Sequence, residues 1–176
     1  MKYIILIFSC IIITLLLIFC PINSGNNSEY LRIHIRANSN SEIDQTVKYE
    51  IKDAVVDALI PILSTCKNKE EASQKLEQNF EYIESIADAI LSMNAFNYKS
   101  HAKLSYEKFP TRSYGDLTLE QGFYDALILE LGEAKGDNWW CVVYPPLCFV
   151  NGSNNVRGFK SRIVEIINNF FQKKIR

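Results

Sequence analysis

The chain has 176 residues, with 19 Lys+Arg against 20 Asp+Glu, a formal net charge of -1 and 48% hydrophobic residues. That length fits one domain with an appendage. The composition excludes wholesale disorder, and the near-neutral balance leaves no electrostatic footprint for nucleic acid.

Tyr3 to Cys20 is an uncharged apolar run of 18 residues. As a helix it reaches roughly 27 Å, close to the hydrocarbon thickness of a bilayer. Lys2 precedes it and favours an inside N-terminus. Residues 1–20 therefore read as a signal peptide or membrane anchor, and 21–29, opening on Pro21, as a linker. A retained anchor suits the length better than a cleaved signal, and bulky Phe19 argues against Cys20 as a lipoprotein cysteine. On either reading the chain from about residue 29 onward lies outside the cytoplasm, tied to the membrane through the N-terminal segment or secreted. Beyond Lys2 it carries 18 basic and 20 acidic residues, so it is no polybasic membrane-surface module. Its apolar fraction, roughly 43%, still suffices for a core.

Leu31, Ile33 and Ile35 alternate with Arg32, His34 and Arg36, the period of a half-buried strand. Ser39 with Glu42, or Ser41 with Asp44, then offers a helix start. Ile43, Val47, Ile51, Val55, Leu59 and Ile62 follow at helical spacing, and Pro61 should end or kink that helix. Asp44 and Lys48 have the spacing of a supporting ion pair. Asn68 with Glu71 opens a second amphipathic helix, expected to run to Met93. A strand from about Tyr98 to Phe109, a turn over 110–116, a strong apolar strand from Phe123 to Leu131 and a hairpin-type connection over 132–138 come next. Trp139 to Tyr144 returns as a strand and stops at Pro145-Pro146. Ile163, Ile166, Ile167, Phe170 and Phe171 mark a final helix. The expected architecture is α+β: a small antiparallel or mixed sheet of about four strands packed by two long helices, with an N-terminal transmembrane or signal helix and a C-terminal helix. The core domain spans 30–150, and 151–176 forms a loop and an amphipathic helix.

No catalytic constellation stands out. Cys141 with His34 or His101 is the one conceivable nucleophile–base pair, but both histidines fall on the polar side of alternating strands, where facing solvent is the default. Two isolated histidines and a single C-x6-C do not supply zinc spacing. Asp137 after Gly136 breaks any resemblance to a phosphate loop. Neither a metal nor a cofactor is expected. Cys66, Cys141 and Cys148 are odd in number, so at least one stays unpaired within the chain. Cys141 and Cys148 can bridge only if Pro145-Pro146 reverses the chain, because an extended path holds them roughly 23 Å apart; buried thiols are the alternative. Adjacent Trp139 and Trp140 must point to opposite faces of their strand. A Trp left exposed beside Pro145 and Pro146 would suit protein contact, whereas periodicity alone favours a covered ring. Arg32, His34 and Arg36 form a second candidate contact surface on the outward side of the first strand.

Four segments carry a resemblance. Leu31 to Asn40 (LRIHIRANSN) with Asp44-Gln45, then Asp53-Ala54-Val55, then Phe109 to Gly115 (FPTRSYG), then Asn138 to Phe149 (NWWCVVYPPLCF) occur in this order. Together they resemble the stage II sporulation protein R family over about two thirds of the chain. Asn40 departs from that pattern, where relatives tend to carry Asp, and nothing after Val150 matches a motif. The resemblance implies an intercellular signal of endospore formation, exported from the forespore into the space between two membranes. There it activates a membrane-embedded aspartic protease that processes the pro-form of the mother-cell sigma factor E. It implies no enzymatic activity, no small-molecule substrate and no nucleic acid. The competing readings are a cell-envelope hydrolase using Cys141 with a histidine, and a passive envelope-binding module.

Overall fold

A computed structural model describes residues 29–115, 117–149 and 160–175. The apolar segment at 1–20, the linker up to residue 28 and the loop at 151–159 lie outside the described residues. Among the described residues no helix is long and apolar enough to cross a membrane.

The elements are β1 (Leu31–Arg36), α1 (Glu42–Leu63), α2 (Lys69–Glu77), α3 (Phe80–Met93), β2 (Ser100–Phe109), β3 (Arg112–Tyr114), β4 (Leu117–Leu119), β5 (Gly122–Leu131), β6 (Asn138–Tyr144), a 3-10 turn at Leu147–Phe149 and α4 (Lys160–Ile175). Among the described residues the fold is α+β, with a four-stranded mixed sheet and four helices. Ser41 caps α1 by accepting the Asp44 N–H at 3.2 Å, which selects the second of the two starts. Pro61 lies within the last turn of α1, which still runs to Leu63 before ending at Ser64.

The single helix expected from Asn68 to Met93 is two helices. Asn68 caps α2, its side-chain oxygen accepting the Glu71 N–H at 2.8 Å. Asn79 leaves the helical region at φ -116 and ψ 15 and donates its side-chain amide to the Lys75 carbonyl at 2.7 Å. That bond closes α2 and lets α3 start in a new direction. The apolar period runs through the break because Leu76 and Ile83 reach the same core.

The sheet order is β2-β5-β1-β6. β1 is parallel to β5 and antiparallel to β6, and β2 is antiparallel to β5. The connection over 132–138 is therefore not a hairpin, since β1 lies between the strands it joins. It crosses the end of β1, where the N–H groups of Lys135 and Gly136 donate to the carbonyls of Asn38 and Ala37 at 3.1 and 2.9 Å. A Cβ on Gly136 would come within 2.2 Å of the Ser39 carbonyl oxygen, so only glycine fits there. The turn expected over 110–116 is also more than a turn: β3 and β4 pair into a separate two-stranded hairpin.

The two sheet faces are both covered, but differently. On one, Leu31, Ile33 and Ile35 of β1 and Leu127, Leu129 and Leu131 of β5 pack under α1, α2 and α3, joined by Ile163 and Ile166 of α4. On the other, Tyr30, Phe109, Tyr124, Ala126, Ile128 and Val142 form a smaller cluster with Leu119 of the β3–β4 hairpin. The centre of β5, Ala126 to Leu129, is continuously apolar because it is buried on both sides, whereas Asp125 and Glu130 flank it at partly exposed positions.

Candidate functional site

The outward placement expected for Arg32 and His34 is overturned. β1 is an interior strand, and its second face meets the aromatic cluster instead of water. Arg32 is fully buried and His34 is 3% exposed. The Arg32 guanidinium lies 4.4 Å from the Phe109 ring centroid and 4.9 Å from that of Tyr124, and it donates to the Tyr114 hydroxyl at 2.6 Å. Its Nε and one Nη have no hydrogen-bond partner, so the aromatic faces supply most of its stabilisation. Burial lowers its pKa, offset in part by the Tyr114 hydroxyl. The FPTRSYG segment thus has a physical reading. Phe109 floors the guanidinium, Tyr114 caps it, Gly115 turns the β3–β4 hairpin at φ +62, and the Thr111 hydroxyl accepts the Gln121 N–H at 3.0 Å to close the hairpin's base.

Further along the same face the covering hairpin gives way to a polar surface. β1–β6 register sets His34 opposite Trp140 and Arg36 opposite Asn138. The His34 and Trp140 rings stack at 3.8 Å between centroids. Arg36, about a quarter exposed, pairs with Glu107 of β2 and, at 2.8 Å, with Glu130 of β5, which also takes Lys103 at 3.0 Å. Burial first, and the charge of Arg36 second, push the His34 pKa down to about 4. His34 is therefore neutral at physiological pH and acts as an aromatic plate under Trp140. The structure joins two candidate sets here: Trp140 with His34 and Arg36. Sequence reasoning missed Glu107, Glu130 and Lys103, because β5, and β2 beyond it, are brought alongside β1 only through the parallel β1–β5 pairing.

Trp139 and Trp140 do face opposite sides. Trp139 packs against the helix-side core, with the Lys52 ammonium 5.7 Å from its ring centroid. Both rings are half-buried, and Pro145 and Pro146 are buried. The diproline is therefore not part of an exposed platform. It follows a cis Tyr144–Pro145 bond, and Cys141 and Cys148 are joined as a disulfide with Cα atoms 5.9 Å apart. Cys66 is a buried free thiol.

The conceivable Cys141–histidine pair is not assembled. Cys141 faces the helix side while its neighbour Trp140 stacks on His34 on the other face. His101 lies on β2, at the opposite edge of the sheet, with its Nδ1 3.1 Å from Glu84.

The ANSN segment and Asp44 form a clamp. The Asp44 carboxylate accepts from Asn38, Ser39 and, at 2.6 Å, the Tyr98 hydroxyl. Burial opposes its charge, but the bonds from Ser39, Tyr98 and Asn38 outweigh this and hold its pKa below the ordinary value. Asn38 accepts the Glu133 N–H, Asn40 accepts the Asp137 N–H, and the buried Lys48 ammonium donates to the Asp137 carbonyl at 3.0 Å. The Asp44–Lys48 ion pair expected from spacing does not form, since both groups are drawn into this clamp. Its work is to fix the crossover loop that feeds β6, and so the position of Trp140. Among the described residues no cluster of His, Cys, Asp and Glu could hold a metal ion.

The family Stage II sporulation protein R matches residues 27–154. This chain belongs to that family. It is also similar to stage II sporulation protein R of Bacillus subtilis (strain 168), at 35% identity over 124 residues, which cover 70% of this chain and 55% of that protein. The chain thus spans little more than half the length of that curated relative. No solved structure matches it. Membership ties the chain to sporulation, and the matched region contains the clamp, the Arg32 box and the Trp140 face together.

Proposed function

We propose that this protein is an exported signal of endospore formation that activates a membrane-embedded aspartic protease by binding it, leading to processing of the pro-form of sigma factor E. Family membership at 35% identity is the observation that carries this reading. The geometry supports action by contact. Trp140, half-buried and stacked on His34, lies opposite the strand that carries Arg36, whose ion pairs to Glu107 and Glu130 add a charged neighbourhood; an aromatic anchor with an Arg and polar groups nearby has the composition of a protein-contact centre. The apolar segment at Tyr3–Cys20 supports export from the forespore into the intermembrane space, with or without retention in the membrane.

No chemistry by the signal itself is required. A ligand shifts a two-state protease from mostly inactive to mostly active if it binds the active form more tightly. Moving 1:99 to 99:1 takes about 5.5 kcal/mol of differential affinity. The hydrolase alternative needs Cys141 as a thiolate beside a histidine, and this fold separates them.

Reconstitution tests the proposal. The full chain, the protease and the sigma-factor precursor are expressed in a non-sporulating host, and precursor cleavage is followed. Cleavage that requires the chain supports the reading; cleavage of equal extent without it, or none with it, overturns it.

A further inference from the structure

β2 is an edge strand, and its outward main-chain row is used along only half its length. The β2–β5 register pairs Ser100 with Leu131, and Gly132 donates to the Lys99 carbonyl at 3.0 Å. Odd-numbered residues of β2 therefore bond to β5, and even-numbered ones point away from the sheet. At the start of the strand α3 supplies the missing partners. Asp88 accepts the Ser100 N–H at 2.8 Å and Glu84 accepts the Ala102 N–H at 2.7 Å. Among the described residues, nothing caps the outward amides of Leu104, Tyr106 and Lys108.

The open half is not a blunted edge. Tyr106 is 64% exposed and stacks at 5.5 Å on Phe123, itself 51% exposed. A groove of about 530 Å³ runs between this stretch and α2, lined by Ser73, Gln74, Leu104, Ser105 and Tyr106 together with Glu70 and the Lys69–Asp125 ion pair. Lys108 follows at its end, an exposed cation with no anionic partner among the described residues. Glu107, on the same strand, belongs to the Arg36 cluster, so the edge is continuous with the Trp140 face.

We infer that β2 from Leu104 to Lys108 is a strand-addition site for an extended segment of the partner protein. That segment would pair with the three open amides, lay apolar side chains on Tyr106 and Leu104, and present an acidic residue to Lys108. Unpaired edge groups are a template that only another extended chain satisfies, with the main chain giving affinity and alternate side chains giving specificity. The charge of Lys108 selects the acidic residue, and the five-residue open stretch sets the length. The inference rests on the proposed activation of the protease, whose extracytoplasmic part would supply the segment.

The experiment is photo-crosslinking combined with variants in the reconstituted host, using the full chain. A photoreactive residue at position 106 or 108 is expected to crosslink to the protease, while one at Met93, 85% exposed at the end of α3, is not. Tyr106→Pro removes one outward N–H and leaves the ladder to β5 intact. Lys108→Glu reverses the surface charge without touching the core. Each is expected to reduce processing about tenfold. If wild-type chain drives processing but neither position crosslinks to the protease, the inference is overturned and the activation reading stands. A crosslink to a second copy of the chain overturns it in favour of self-association. If wild-type chain drives no processing, the activation reading fails; crosslinks at 106 and 108 to the protease would then still uphold the edge as the contact, and crosslinks to any other protein, or none, would overturn it as well.

Discussion

The two faces of the central sheet are built from the same strands but solve different problems. The helix-side face is aliphatic, with Leu31, Ile33, Ile35, Leu127 and Leu129 closed over by three helices, and every position can be replaced only at the expense of packing. The second face carries an arginine and a histidine from the same strand, buried among aromatic rings beneath a two-stranded hairpin, and then opens to solvent at Trp140 and Arg36. Apolar and polar alternation along one strand therefore does not mean core and water. Here it means an aliphatic core and an aromatic one, and the second face is where buried polarity leads to an accessible patch at Trp140 and Arg36.

The largest expected difference between the faces is in stability. Leu59→Ala on the helix side removes a fully buried side chain from a closed core and should cost about 2–5 kcal/mol, read as a lowered denaturant midpoint. Arg32→Met on the second face should cost less than about 1.5 kcal/mol, because a flexible apolar side chain fills the aromatic box and removes two unsatisfied donors. An equal loss for Arg32→Met would mean that the guanidinium–aromatic contacts hold the second face as strongly as packing holds the first.

Titration sharpens the contrast. His34 has a pKa of about 4 in the folded chain against 6.5 when unfolded. The unfolded chain binds the extra proton between those values, so stability is full above pH 6.5 and falls as pH drops towards 4. The loss is about 3 kcal/mol. His34→Leu should flatten this slope in unfolding curves across pH 4–7. Asp44 acts in a lower window. Its folded pKa is depressed, so its contribution persists above about pH 3.8 and disappears only below it. A slope that survives in His34→Leu would place the acid sensitivity elsewhere.

Much of the helix face was legible in the sequence, because Val47, Ile51, Val55 and Leu59 announce one buried stripe. The second face was less so. Nothing local to LRIHIR reveals that a segment some eighty residues away folds Tyr114 onto Arg32, or that β5 and β6 flank β1 on both sides. The parallel β1–β5 pairing is a long-range choice with no turn to mark it. The break at Asn79 was hidden for a related reason: two helices that bury their stripes in one core keep the period of one. The site was half legible. Trp140, His34 and Arg36 were each singled out, but their juxtaposition and the carboxylates around Arg36 depend on register. Pro145 and Pro146, candidates for that contact only beside an exposed Trp, are buried.

The smallest expected change in stability belongs to the patch itself. Trp140→Leu keeps an apolar cover over His34 and should cost about 1 kcal/mol or less, yet reduce precursor processing at least about tenfold if the ring is a contact anchor. Thermal unfolding and the reconstituted cleavage assay separate the two effects.

The proposed function is activation of the protease by binding, with no reaction performed by the chain itself. It is tested most directly by measuring, in the same membranes, association of the full chain with the protease and cleavage of the sigma-factor precursor, for wild type, Trp140→Leu and Arg36→Ala. The account predicts that association and cleavage fall together in both folded variants. Cleavage lost while association is intact, or both unchanged, would contradict it.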